Sequence, residues 1–142
     1  MTTTVEQNVA LVRRAYQCVQ SRDLDTAEKP LTENFIANVP GTAEPLRGRE
    51  NWRMGSEIML DAFPDLTIDV RDIFGVGDKV TVLVAFQATH LGAFQQFEAT
   101  GRTVACRGVE VYRCEGDRIA EEWVAPDLLH LIQQIAPTPA GH

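Results

Sequence analysis

Val5, Val9, Val12, Tyr16 and Val19 recur at intervals of three and four residues, the spacing that lines up side chains on one face of a helix. A helix is predicted over 4–20, with Thr3 and Glu6 as its capping box. The stretch 22–35 reads as a shorter second helix, with Asp23 capping its start and Pro30 near its end. Residues 37–46, rich in Pro and Gly, read as a loop. A third helix is predicted over 48–63, with Trp52, Ile58, Met59 and Phe63 on overlapping faces and Pro64 stopping it.

Beyond residue 65 the period changes from near four to two. Leu66, Ile68 and Val70 alternate with Thr67, Asp69 and Arg71, the pattern of a half-buried strand. After a Gly-Val-Gly-Asp turn, 79–90 is a longer strand, apolar on both sides, so both its faces are expected to be covered. A loop around Gly92 leads to a strand over 102–114, a Glu-Gly-Asp hairpin turn and a returning strand over 118–125. Pro126 and Asp127 open a last helix ending at 135, and 136–142 is expected to fray. Helices come first and strands second, which indicates an α+β fold. A curved antiparallel sheet, with the three N-terminal helices laid on one face, would form a cone-shaped α+β barrel enclosing a pocket. Its apolar outer face would then be covered by a second copy, making a homodimer.

Composition narrows the partners. The 142 residues suit one domain, 1–142, and the hydrophobic fraction of 44% is that of a globular chain. A net charge of −7 with no basic run disfavours nucleic acid and anionic membrane surfaces. No apolar stretch approaches the ~20 residues of a membrane helix, and the first residues lack a secretory pattern. Cys18, Cys106 and Cys114 are an odd set without CxxC spacing, so reduced thiols in the cytoplasm are expected, with Cys106 and Cys114 as small core residues.

Four phrases carry a resemblance: AFPDLTIDVRDIFGVGDKV, ATHLGAFQQFEATGRTV, VEVYRCEGDRI and EEWVAPDLLHLIQQI. Together with the order of elements they resemble the SnoaL-like polyketide cyclase family, of the superfamily that includes nuclear transport factor two and ketosteroid isomerase. The resemblance runs from about Val5 to Ile135. It implies a cone-shaped fold and cofactor-independent chemistry on a polyketide, as in antibiotic biosynthesis. It also implies a His and an Asp on neighbouring strands as acid and base of an aldol ring closure. Those positions match Glu110 and Val124 here, and both are departures, since valine moves no proton.

Strand alternation sharpens the reading of Glu110. Gly108, Glu110 and Tyr112 share one face, and Ala120, Glu122 and Val124 share a face of the partner strand. The family match puts that face toward the cavity. Two carboxyls would then look into one concave, partly apolar space, where burial and like charge raise a carboxyl pKa. Glu110 becomes the candidate base for abstracting a proton next to a carbonyl, with Tyr112 donating to the enolate oxygen. The bland alternatives stand beside this: Glu110 facing water, Glu122 reaching water or pairing with Arg107 or Arg118, and Tyr112 as a core aromatic with a satisfied hydroxyl.

His90, in a Thr-His-x-Gly phrase, is either an assisting catalytic group or a fastener of the following loop. His130 and His142 are expected to be irrelevant. Asn38 either holds a substrate carbonyl or forms a turn before Pro40. Trp52, Arg53, Met54 and Phe63 line the cavity or fill the core, and Val124 would contact substrate. Asp127 is most simply a helix cap. No metal-ligand spacing, phosphate loop or serine-nucleophile motif is present, so neither metal nor cofactor is expected. The leading expectation is a cyclase or isomerase acting on a hydrophobic, polyketide-like molecule, by proton abstraction or by folding the chain through shape alone. A non-catalytic binding module and an epoxide-opening hydrolase are the alternatives; the hydrolase's Asp-Arg-Asp arrangement is not apparent in these strands.

Overall fold

The computed structural model describes residues 3–137. In chain order it contains α1 (Val5–Gln20), α2 (Leu24–Glu28), β1 (Leu31–Asn38), β2 (Leu46–Arg47), α3 (Glu50–Ala62), β3 (Thr67–Val76), β4 (Lys79–Thr89), β5 (Thr103–Glu115), β6 (Arg118–Pro126) and α4 (Leu128–Ile135). The strands form one mixed sheet in the order β2-β1-β6-β5-β4-β3. All pairs are antiparallel except β1 with β6. The α+β class is as the sequence indicates. The sheet is open, not closed into a barrel, with β2 and β3 at its two edges.

Two local expectations are corrected. The helix expected over 22–35 stops at Glu28, and Leu31–Asn38 is a strand. Pro30 brings no amide hydrogen for a continuing helix. Beyond it Leu31, Phe35 and Ala37 are buried against the sheet, and the chain pairs with β6, almost ninety residues away. The capping box of α1 sits one residue later than expected. The Thr4 hydroxyl accepts from the Gln7 amide, and the Gln7 side chain accepts from the Thr4 amide at 2.8 Å. Thr3 instead donates to the Gly116 carbonyl at 3.0 Å, tying the start of α1 to the β5–β6 turn. Asp23 and Asp127 cap α2 and α4 as read from the sequence. The fraying expected over 136–142 and the reading of His142 lie, beyond residue 137, outside the described residues.

The core falls into two clusters. Under α1, Val12 and Tyr16 meet Phe35, Val80, Val82 and Tyr112, with Trp52 of α3 packed alongside. At the other end, Ala62 and Phe63 close over Ala88, Val104 and Cys106, and α4 adds Leu131 and Ile135. Gly92 is required there. Its amide donates to the Ala62 carbonyl at 3.0 Å, and a Cβ would fall 2.2 Å from the Asp61 carbonyl oxygen. Cys106 and Cys114 are buried free thiols, as expected, and Cys18 is free and half-buried.

The outer face of the sheet differs from expectation within the chain. Val80, Val82 and Val84 are buried beneath the helices, but on the opposite face of β4 Leu83 is 36% exposed, and its β5 partner Val109 is 42% exposed. No element of the described chain covers this face. Among the described residues no helix is long and apolar enough to cross a membrane.

Candidate functional site

Register places the two carboxyls. Glu110 of β5 pairs with Val82 on one side and Val124 on the other, and Tyr112 pairs with Val80 and Glu122. Val80 and Val82 are fully buried under α1, so Glu110, Tyr112, Glu122 and Val124 all belong to the helix-covered face. Glu122 is 6% exposed, and Glu110 and Val124 are half-buried. The bland reading of Glu110, a carboxylate turned to water on the outer face, is excluded by this register.

The phenols complete the cluster. Glu110 Oε1 accepts a close hydrogen bond from Tyr16 Oη and another from Tyr112 Oη at 3.2 Å. The two hydroxyls lie 3.0 Å apart, and their rings meet edge to face with centroids 6.0 Å apart. Tyr16 reaches the site from α1. On sequence alone it is one more member of the apolar helix face. The available signal was the polar end of a tyrosine at a core position, since a buried hydroxyl needs a partner.

Burial raises the pKa of all four groups. For Glu110 the two phenol donors pull back against the burial. Glu122 receives no such donor and is pushed up to about 8, first by burial and then by the charge on Glu110. Tyr16 and Tyr112 are raised by burial and by Glu110, so both stay protonated and donate. Of the two, Glu110 alone has hydroxyl donors that favour its charged form, while burial and the neighbouring Glu110 favour the protonated form of Glu122. The pair is diagonal across the strands, one row out of register, at a spacing of roughly 7 Å. The two positions that the resemblance assigns to acid and base, 110 and 124, are direct cross-strand partners. The carboxyl missing at 124 thus stands two residues earlier, at 122.

The other expected site residues separate. His90 is fully buried, eight residues beyond Val82 and so up to about 25 Å along β4 from the Glu110 row. Its Nδ1 accepts from the Thr100 amide at 3.2 Å, and its backbone pairs with Arg102 and Gly101. It fastens the 91–102 loop, the second of its two readings. Asn38 faces the outer side, because the parallel register sets it beside Trp123 and turns Ala37 inward. Its amide donates to Glu121 Oε2 at 3.0 Å and to the Glu122 carbonyl at 2.8 Å. Arg53 lies on the solvent side of α3, bound to Asp25 and Glu57 at 2.7 Å each. Phe63, 1% exposed, is core in the second cluster, beside the His90 ring. Met54 is exposed, and Trp52 packs against the first core cluster, the one that contains Tyr16 and Tyr112. Neither Arg107 nor Arg118 takes Glu122; the ion pair on β6 is Arg113 with Glu121, on the outer face, at 3.2 Å. The His130 amide donates to the Asp127 cap and its carbonyl accepts from Gln134 at 3.0 Å.

The deep end of the expected hollow is filled by Val12, Tyr16, Phe35, Val80, Val82 and Tyr112. The two phenols span the space between α1 and β5. What stays accessible is the β6 side, where Glu110 and Val124 keep partial exposure. Among the described residues no group of three or more His, Cys, Asp or Glu side chains is placed to hold a metal ion.

No curated protein matches the sequence. Among solved structures, the fold is shared with a SnoaL-like polyketide cyclase, provisionally so described, from Jannaschia sp. CCS1 (TM-score 0.88, 21% identity, covering 98% of this chain and 99% of that one). It is shared also with AclR, provisionally described as a hydroxylase, from Streptomyces galilaeus (TM-score 0.85, 23% identity, 96% and 100% covered). IdmH, provisionally described as a polyketide cyclase, from Streptomyces antibioticus, is 27% identical over 92% of this chain and 99% of its own, with a TM-score of 0.80. The family model for SnoaL-like polyketide cyclases matches residues 10–135. Since that match spans both core clusters and the whole Glu110 site, the chain belongs to the SnoaL-like polyketide cyclase family.

Proposed function

We propose that the chain is a cofactor-independent cyclase or isomerase of a hydrophobic, polyketide-like small molecule, with Glu110 as base and Glu122 as acid. Family membership supports the cyclase or isomerase type of reaction. The observation that carries the roles is the unequal sharing of hydrogen bonds: Glu110 has two phenol donors and Glu122 has none. Glu110 takes the proton from a carbon beside a carbonyl. The resulting enolate carbon attacks a second carbonyl of the same molecule, and one carbon–carbon bond forms. The new alkoxide receives the proton of Glu122, and the proton held by Glu110 then restores Glu122. No atom is gained or lost, so the net reaction is an isomerisation.

The supporting roles follow from the contacts. Tyr16 and Tyr112 hold the carboxylate of Glu110 in one orientation and keep it charged in a buried place. Val124 contributes apolar surface beside it. Epoxide opening through an Asp-Arg-Asp set is disfavoured by the position of Arg53 and Arg113, both committed to acidic partners away from the pair. Closure by shape alone and simple carriage of an apolar ligand remain as outcomes of the test.

The test is exchange, in D2O, of the carbon-bound protons of an uncharged aryl β-keto ester, followed by NMR against buffer. Wild type should accelerate the exchange, and Glu110→Gln should lose about 10²–10⁴-fold of that acceleration. Exchange that survives Glu110→Gln would remove proton abstraction and leave shape or carriage.

The same reading includes a homodimer formed through the outer sheet face. In register there, Leu83 neighbours Val109 and Val111 neighbours Trp123, an apolar band across three strands. A two-fold axis would lay that band on its own copy.

A further inference from the structure

The ladder between β1 and β6 ends with Asn38 opposite Trp123, while β6 runs on to Pro126. The β1-side edge of its last residues is therefore left without a strand. The chain swings away there as loop 39–45, restrained by Pro40, Pro45 and a hydrogen bond of 3.1 Å from the Thr42 hydroxyl to the Val39 carbonyl. Between loop and strand lies a groove of about 370 Å³, within the ~300–1,000 Å³ of small-molecule clefts. Val39, Pro40, Ala43 and Pro45 of the loop and Trp123, Val124 and Ala125 of β6 give it apolar surface, with Asn38 and Thr42 as its uncharged polar members. Among the described residues, Glu44 is the one titratable side chain lining it, and no Lys, Arg or His does.

Val124 joins this groove to the acid pair. Along the row Val82–Glu110–Val124, exposure rises from none at Val82 to partial at Glu110 and Val124. Directly paired residues on two strands have Cβ atoms about 5 Å apart. Val124 is the groove residue that shares the face of Glu110; Asn38, Trp123 and Ala125 lie on the other face, so the groove wraps the end of β6 at the sheet edge. An anion would meet Glu44 and a net charge of −7.

We propose that this corner groove is a binding subsite for an uncharged, apolar arm of the ligand, docked between loop 39–45 and the end of β6. Its connection to turnover rests on the function proposed above. In that setting the reactive end passes Val124 to reach Glu110, and the groove sets which chains fit.

The probe is N-phenyl-1-naphthylamine, a neutral molecule that brightens in apolar sites. Titration should saturate at one per chain. Ala43→Trp and Thr42→Trp, each placing a ring from the exposed loop into the groove, should each weaken binding at least tenfold. The anionic analogue 1-anilinonaphthalene-8-sulfonate should bind at least tenfold more weakly than the neutral probe. In amide NMR spectra the shifts should fall on Val39, Thr42 to Glu44 and Trp123 to Ala125. Absence of saturable binding, binding untouched by both variants, or shifts centred elsewhere overturns the proposal. This readout needs no proton transfer. Probe seated in the groove without Glu110-dependent exchange would sink the reaction and keep the subsite; exchange without probe binding would do the reverse.

Discussion

Glu122 is the residue whose environment makes the sharpest statement. A carboxyl that is 6% exposed, without a donor and beside a charged neighbour, keeps its proton up to about pH 8, against an ordinary value of 4.5. The folded chain therefore binds more protons than the unfolded chain between those two values. Stability contributed by this group is complete below the lower value and is lost as pH rises through the upper one. Glu122→Gln, which cannot ionise, should remove that loss. In urea melts from about pH 5 to about pH 9, the variant should gain on wild type as pH rises, by an amount on the order of a few kcal/mol. A difference between the two that does not change with pH would show that the buried proton is not on Glu122.

At the scale of the element, α1 matters beyond its share of the core, because it carries Tyr16 to Glu110. Its start is held by the reciprocal Thr4–Gln7 bonds and by Thr3 on the Gly116 carbonyl. Thr4→Ala removes one capping acceptor and should cost about 1 kcal/mol in denaturant unfolding. The exchange activity should change little, since Tyr16 lies three turns farther on. A large activity loss with unchanged stability would mean that the first turn does more than anchor the helix. β6 is the second element that decides the site. It is paired on both sides through Trp123, and past that residue on the β5 side alone. That asymmetry leaves the Val124 end of the Glu110 row without a β1 neighbour.

At the scale of the molecule, the helices cover one face of the sheet and leave the other bare. Leu83 at 36% and Val109 at 42% exposure sit side by side in that bare face. The proposed homodimer would cover this patch. Wild type should sediment as a dimer, and Val109→Glu, which sets charges against each other across a two-fold axis, should sediment as a monomer with its α1 site intact. A wild-type monomer at tens of micromolar would remove the dimer from the proposal.

Period alone determined much of this protein. The helix face through Val12 and Tyr16, the meander of β3 to β6 and the caps at Asp23 and Asp127 are local patterns, written within a few residues of one another. The inward direction of Glu110 and Glu122 followed from strand alternation once the family's cavity side was assigned. What tertiary structure alone decided depends on residues distant in the chain. Leu31–Asn38 became a strand because the edge of β6 was there to pair with it, and that pairing turned Asn38 outward. Tyr16 became a partner of Glu110 because α1 packs on β3 and β4, within side-chain reach of β5, ninety-four positions away in sequence. Arg53 and Phe63 were assigned to solvent and to core by the way α3 is rotated against α2 and β4. Hydrophobic periodicity reports which face of an element is covered; which side chain covers it is set only when the elements meet.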